Sequence, residues 1–245
     1  MRRTADELMR LSILVPLFNE EELIVPVLNA LLQVQYPAFL ESVEVIVVDD
    51  RSTDRSYEIA KEYASSQPRV SVHRHERNQG KGAAVRTAAA LATGDHLLIQ
   101  DADRELDPKD IPSMLDAMRT LQVPFINGSR YLPGVLRTQA AYRRYLANRI
   151  FTMITSILID VHLTDMACGY KLLTKELFNK LDLREDRFGF EAELIIKCGR
   201  IRRNWIAEVP VHYHPRNMGE GKKLRNSDGL RIFWTIIKYG LLRSK

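Results

Sequence analysis

The sequence predicts an α/β fold: a doubly wound, mostly parallel sheet flanked by helices. Three observations carry this. Apolar runs and capped helical segments alternate four times within the first 121 residues. The runs are continuously apolar rather than alternating, as expected when helices cover both sheet faces. Each run also stops at a polar cluster, and in open α/β sheets ligands sit beyond the carboxyl ends of the strands.

Taken in order, Ser12 to Phe18 ("SILVPLF") reads as a buried strand. The helix after it has Asn19 as an N-cap candidate and acids in its first turn. Val43 to Val48 is a second strand, closed by Asp49 and Asp50 and followed by a capped helix over Ser52 to Ser65. Val70 to His75 is a third strand, and Gly80 to Ala92 is a helix with a glycine-rich entry. His96 to Gln100 is a fourth strand, and Pro108 sits in the first turn of a helix reaching Leu121. The second half is less regular. Phe125 to Tyr131 suits a strand, Tyr142 to Val161 a long apolar helix, and Leu163 to Leu173 a strand or loop. Glu191 to Ile201 is helical and Ile206 to Tyr213 a late strand. Gly219 to Arg225 is a basic loop, and Gly229 to Leu242 a basic amphipathic helix. No linker divides the chain, so residues 1–245 are expected to form one domain.

Bulk properties narrow the function classes. The 245 residues are 45% hydrophobic and 27% charged, ordinary globular values. Cys168 and Cys198 are too few for a disulfide framework and read as reduced thiols. The N-terminus lacks a signal-peptide core, and no apolar run reaches the ~18 residues of a membrane span; a cytoplasmic protein is expected. The formal net charge of +5 suits a phosphate-rich ligand or an anionic membrane surface. Nucleic acid is disfavoured, because there is no zinc-finger spacing, RNP-like motif or dense basic tract.

The candidate chemistry lies at the strand ends. Asp101, Asp103 and Glu105 stand at alternate positions after the fourth strand, and an extended chain would put them on one side. Three like charges there repel unless a cation sits among them, and Mg²⁺ or Mn²⁺ typically binds through one or two carboxylates plus substrate phosphates. A solvated turn is the plainer reading of so short a motif. Asp49 and Asp50 offer one acid for capping and one to accept hydrogen bonds from a base or ribose. Lys81, between Gly80 and Gly82, opens a helix whose N–H groups suit a phosphate; the plainer reading is a surface lysine. The six histidines show no metal-ligand spacing, and His212 and His214 read as satisfied polar residues.

Six stretches, in order, carry a resemblance: "SILVPLFNEEE", "VEVIVVDDRSTDRS", "RHERNQGKGAAVRTAAALATGDHLLIQDADRELDP", "NGSRY", "LTDMACGYKLLTKE" and "FGFEAELIIK…EVPVHYHPR…GEGKK". Together they resemble the inverting family 2 glycosyltransferases of GT-A fold, most of all the polyprenyl-phosphate branch that includes dolichol-phosphate mannose and glucose synthases. The resemblance covers nearly the whole chain. It implies a metal-dependent transfer of a hexose from a UDP- or GDP-sugar to a polyprenyl phosphate. It also implies a nucleotide-sugar-binding half over residues 1–130 and an acceptor half over 131–245.

The resemblance assigns residues too. Pro16, Phe18, Glu20 and Asp49 or Asp50 would line the nucleotide pocket. Asp101 and Asp103, with Glu105, would hold a divalent metal and the donor diphosphate. Arg130 would bind phosphate, Asp165 stands where many relatives carry a catalytic carboxylate, and Arg216 and Lys222 lie in a basic segment near the phosphates. Two positions depart from the pattern: Arg51 replaces a common glycine and Phe18 a common tyrosine. A hydroxyl acceptor would need a general base, whereas a lipid phosphate with a second pKa of about 6 would not. A saccharide or protein acceptor, or a non-catalytic nucleotide-sugar-binding subunit, are the alternative readings. The helices after Tyr142 and Gly229 mix apolar and basic residues suited to peripheral membrane association. For the first of them, packing of the apolar face on the sheet is the expected arrangement.

Overall fold

The computed structural model describes residues 8–136, 142–216 and 226–242. Seven strands form one sheet in the order β3-β2-β1-β4-β6-β5-β7. They are β1 (Met9–Leu17), β2 (Leu40–Asp49), β3 (Val70–Arg74), β4 (His96–Ile99), β5 (Phe125–Ser129), β6 (Lys171–Thr174) and β7 (Ile206–Pro210). β6 runs antiparallel to β4 and β5, and every other pairing is parallel. Helices α1 (Ile24–Gln33), α2 (Ser56–Ser65), α3 (Lys81–Leu91) and α4 (Ile111–Leu121) connect the early strands. α5 (Tyr142–Ile159), α6 (Lys175–Leu181), α7 (Phe190–Ile201) and α8 (Asn226–Thr235) follow, with a π-helical turn over Ile236–Leu241. Two apolar clusters fill the two faces of the sheet. One is centred on Ile13, Val15, Leu28 and Val47; the other on Leu14, Val48, Leu97 and Leu194.

The strand order places the site. The chain winds outward from β1 through β2 to β3, then returns to β4 on the other side of β1, so a topological switch point lies between β1 and β4. Because β6 is antiparallel, the residues before it (163–170) reach the same edge as the residues after the parallel strands.

Three local expectations are corrected. Asn19 is not a helix cap: it adopts a left-handed φ of 50°, and α1 begins at Ile24 with no acid in its first turn. Its backbone N–H donates to Ser52 Oγ at 3.0 Å and its carboxamide oxygen accepts from Thr53 N at 2.8 Å, so the segment ties two loops together. For the same reason α2 starts at Ser56 rather than Ser52. Asp101 to Glu105 is a turn rather than an extended strand, with Arg104 at φ 56° and Asp103 Oδ1 accepting from Glu105 N at 3.0 Å. α6 was not anticipated, although Thr174 caps it by accepting from Leu177 N at 3.2 Å.

Candidate active site

A cleft of about 870 Å³ opens at the switch point. Of the residues singled out in the sequence, Pro16, Phe18, Glu20, Asp50, Lys81, Asp101, Asp103, Glu105, Arg130 and Arg216 line it. Asp49 and Asp165 lie fully buried behind its wall, and Lys222 falls outside the described residues.

The acid pair after β2 is occupied by the protein itself. Asp49 accepts from Ser52 N and pairs with Arg74 Nε at 3.0 Å. Asp50 accepts from Gln79 N at 2.8 Å and Gly80 N at 2.7 Å, and faces His75 Nδ1 at 2.9 Å. Both carboxylates therefore shape loops, and Asp50 alone reaches the cleft.

The glycine-rich entry to α3 serves a chain crossing. A Cβ on Gly82 would lie 2.1 Å from Glu185 O, and one on Gly80 2.4 Å from Asp186 O, with Gly80 at φ 103°. Ala83 N donates to Asp186 O at 3.2 Å, so part of the helix terminus expected to receive phosphate is already satisfied. Glu193 holds the crossing segment by accepting from Arg184 N and Glu185 N at 2.7 to 2.9 Å. Lys81 reaches into the cleft instead and bridges Asp101 Oδ1 and Glu191 Oε1, each at 2.7 Å. Burial opposes its charge, but the two carboxylates outweigh burial and keep the ammonium firmly protonated. The sequence motif "FGFEAEL" contained Glu191 and Glu193 without revealing either partner.

The three acids after β4 stand close together without forming a closed shell. Among the described residues no three carboxylate, imidazole or thiolate groups converge on one point. Asp101 leans to Lys81. Glu105 accepts from Arg216 N at 3.0 Å and Tyr213 OH at 3.2 Å. Arg216 pairs with Glu20 through two bonds of 2.9 Å and lies 3.3 Å from Asp103. In kind, the donors fit a hard divalent cation: all are carboxylate oxygens. Burial and the charges of Asp101 and Glu105 push the Asp103 carboxyl up to about 6, a repulsion that a bound cation would relieve. Gly169 makes room for this corner, since a Cβ there would sit 2.3 Å from Asp101 Oδ2. Tyr170 OH donates to Gln100 Oε1 at 2.6 Å, and Gln100 Nε2 donates to Asp101 O at 3.0 Å, fixing the turn from beneath.

Asp165 is held on every side. Its Oδ2 accepts from Arg130 Nε at 2.7 Å and Arg130 N at 3.1 Å. Its Oδ1 accepts from Arg130 Nη2 at 2.8 Å and Asn148 Nδ2 at 2.9 Å. Burial works against the carboxylate's charge, but Arg130 and these bonds hold it below the ordinary carboxylate range. The backbone is equally constrained. Asn127 Nδ2 donates to Asp165 O at 2.8 Å, and Glu208 Oε2 accepts from Thr164 N at 2.7 Å. Lys171, fully buried beneath, donates to Asn127 Oδ1 at 2.7 Å. Arg130 alone of this group lines the cleft, with its guanidinium 5.0 Å above the Tyr213 ring centroid.

α5 departs from expectation. Asn148, Thr152 and Thr155 are on its buried face, while Tyr142, Leu146, Ile150, Met153 and Ile157 form an exposed row; Ile157 is 71% exposed. Phe151 stacks near Phe233 of α8, whose Leu230 and Trp234 are also exposed. Much of the apolar surface assigned to the sheet thus faces outward. No helix among the described residues is long and apolar enough to cross a membrane.

The chain is 31% identical over 220 residues to a dolichol-phosphate mannosyltransferase of Pyrococcus furiosus, a match covering 87% of this chain and 59% of that protein. It is 30% identical over 248 residues to the human dolichyl-phosphate beta-glucosyltransferase, covering 94% of this chain and 72% of that one. Among solved structures, glucosyl-3-phosphoglycerate synthase of Mycobacterium tuberculosis, in complex with Mn²⁺, UDP and glucosyl-3-phosphoglycerate, superposes with a TM-score of 0.68. It is 20% identical and covers 95% of this chain and 80% of its own, which establishes the shared fold. The glycosyl transferase family 2 model matches residues 12–182, well over half the chain. On that match and the identities above, the chain belongs to glycosyl transferase family 2 and has the GT-A fold.

Proposed function

We propose that the protein transfers a hexose, with inversion, from a nucleotide-diphosphate sugar to a polyprenyl phosphate, with a divalent metal. The observation that carries the acceptor class is the saturation of Asp165. Four donors occupy its two oxygens and it lies behind the cleft wall, so it has no lone pair with which to take a proton. With Asp165 unavailable as a base, an acceptor that arrives already ionised fits the site, as a phosphate monoester largely does at neutral pH. A saccharide or protein hydroxyl would need a base.

The step balances without proton transfer. A phosphate oxygen of the acceptor attacks the anomeric carbon from the face opposite the leaving group. The bond from that carbon to the β-phosphate oxygen breaks, and the nucleoside diphosphate departs with the electron pair. Arg130 supplies a fixed positive charge in the cleft, where developing negative charge is most strongly stabilised. Lys81 and Arg216 add further positive charge to the cleft, paired respectively with Asp101 and Glu191 and with Glu20. Asp101 and Asp103, with Glu105, would hold Mg²⁺ or Mn²⁺, which when bound neutralises charge on the departing diphosphate.

The relatives support this reading by name, one acting on dolichol phosphate with mannose and one with glucose. The exposed row of α5, with Arg143 and Arg149 exposed beside it, suits the surface of an anionic bilayer that would present the acceptor. The test is direct: incubate the protein with UDP- and GDP-hexoses, Mn²⁺ or Mg²⁺, and either a prenyl phosphate or a free glycan. A prenyl-phosphate-linked hexose is expected. Product on the glycan alone, or no consumption of any sugar nucleotide, would overturn the proposal.

A further inference from the structure

We propose that Asn148 is a positioning residue for the transfer reaction: acting through Asp165, it sets the direction in which the Arg130 guanidinium enters the cleft. This rests on the reading of Arg130 as the phosphate-facing cation. Of the four donors on the Asp165 carboxylate, three belong to Arg130 itself. Two of the three are guanidinium N–H groups, and the third is the Arg130 backbone N–H, which ties the carboxylate to the chain just after β5. Asn148 Nδ2, at 2.9 Å, is the one donor that ties the carboxylate to a different element, α5.

The residue is otherwise poorly suited to its place. Asparagine is a weak helix former. Asn148 is only 8% exposed, and its Oδ1 is buried with no hydrogen-bond partner among the described residues. Such an unpaired acceptor costs stability, so packing alone would favour leucine. What asparagine provides and leucine cannot is the bond to Asp165. The same buried face continues the pattern with Thr152, whose Oγ1 accepts from Met166 N at 3.2 Å, so α5 grips the catalytic loop at two successive turns.

The test uses Asn148→Leu and Asn148→Asp in the full-length protein. Asn148→Leu is expected to keep or raise Tm and to change the sugar-nucleotide KM by less than about threefold, while kcat falls by about tenfold or more. The Arg130 Nε–H resonance, identified by its absence in Arg130→Lys, is expected to exchange with water about tenfold faster. In Asn148→Asp the new carboxyl lies against Asp165 and is pushed to bind a proton. Once protonated it donates as the amide did, so turnover lost at about pH 8 is expected to return toward about pH 6. Wild-type kcat with unchanged Arg130 exchange in Asn148→Leu would overturn the proposal. So would an Asn148→Asp profile parallel to that of the wild type, which remains decisive if the leucine variant does not fold. If the wild-type protein forms no prenyl-linked product, the proposed function fails, and Arg130 exchange still decides the role of Asn148.

Discussion

Arg51, where the resemblance implied glycine, adopts a left-handed φ of 62°. The departure seen in the sequence is thus a backbone matter: a Cβ in that region costs roughly 1–2 kcal/mol, which glycine avoids at some cost in entropy. Arg51→Gly is expected to leave the cleft unchanged and to raise stability by up to about 1 kcal/mol, read by denaturant midpoint. Asp165 makes the opposite case. The motif "LTD" identified the residue, but nothing nearby in sequence indicated that Arg130 and Asn148 would consume it. If Asp165 were a base, Asp165→Asn would reduce turnover and spare the fold. With Arg130 buried against it, the substitution leaves an uncompensated guanidinium, and a loss of about 3 kcal/mol or more in unfolding free energy is expected. Its lowered pKa fixes the pH window. The native carboxylate binds a proton less readily than the unfolded one, so its stabilisation is present above the ordinary carboxylate range and fades only as pH falls through its depressed value. An acid limb in the rate profile near neutrality therefore cannot be assigned to Asp165.

At the scale of elements, strands were legible and helix starts were not. β1, β2 and β4 each contain a continuous apolar run, and burial on both faces leaves that signature directly in the sequence, whereas the edge strand β3 (VSVHR) is mostly half-buried and carries it only weakly. The starts of α1 and α2 were misplaced because Asn19 and Ser52 bond to each other across two loops rather than to their own helices, and such partners are more than thirty residues apart, while Asp54 accepts from Ser56 N at the true start of α2. Gly80 and Gly82 read as a phosphate loop, but the backbone of residues 185–186 fills that space. α5 was misread in orientation because it is apolar on more than one face, and periodicity alone cannot say which face packs. Its outer row gives an element-scale prediction. Met153→Asp with Ile157→Asp, at positions 57% and 71% exposed, should leave Tm within a degree or so, because little buried surface is lost. The same pair should weaken sedimentation with anionic vesicles about tenfold or more, since each removes apolar surface and adds repulsive charge. Unchanged vesicle binding, or binding insensitive to salt, would show that another surface meets the membrane.

At the scale of the molecule, the switch point between β1 and β4 and the reversal of β6 bring residues from distant parts of the chain to one cleft. The polar cleft-lining residues that follow β1, β2 and β4 were legible, because strand ends are marked by polar residues after apolar runs, whereas Arg187, Glu191 and Asp228 were not. Nor were the pairings: Lys81 with Glu191 and Arg216 with Glu20 join residues over a hundred positions apart. These pairings create an acidic corner whose charge is only partly balanced, and a whole-molecule prediction follows. Asp103, held up to about 6 by burial and by Asp101 and Glu105, carries a proton more readily in the native protein than in the unfolded chain. Its contribution therefore makes the metal-free protein less stable as pH rises from the ordinary carboxylate value toward about 6, since the native state binds the extra proton. A divalent cation must displace that proton. Mn²⁺ affinity, measured by calorimetry without nucleotide, is thus expected to level off above about pH 6 and to fall by about tenfold per pH unit below it. Asp103→Asn should abolish the pH dependence and most of the affinity together, while raising the metal-free Tm at neutral pH. Retention of Mn²⁺ binding in that variant, with a wild-type pH profile, would place the cation on other residues and separate the acidic corner from the metal.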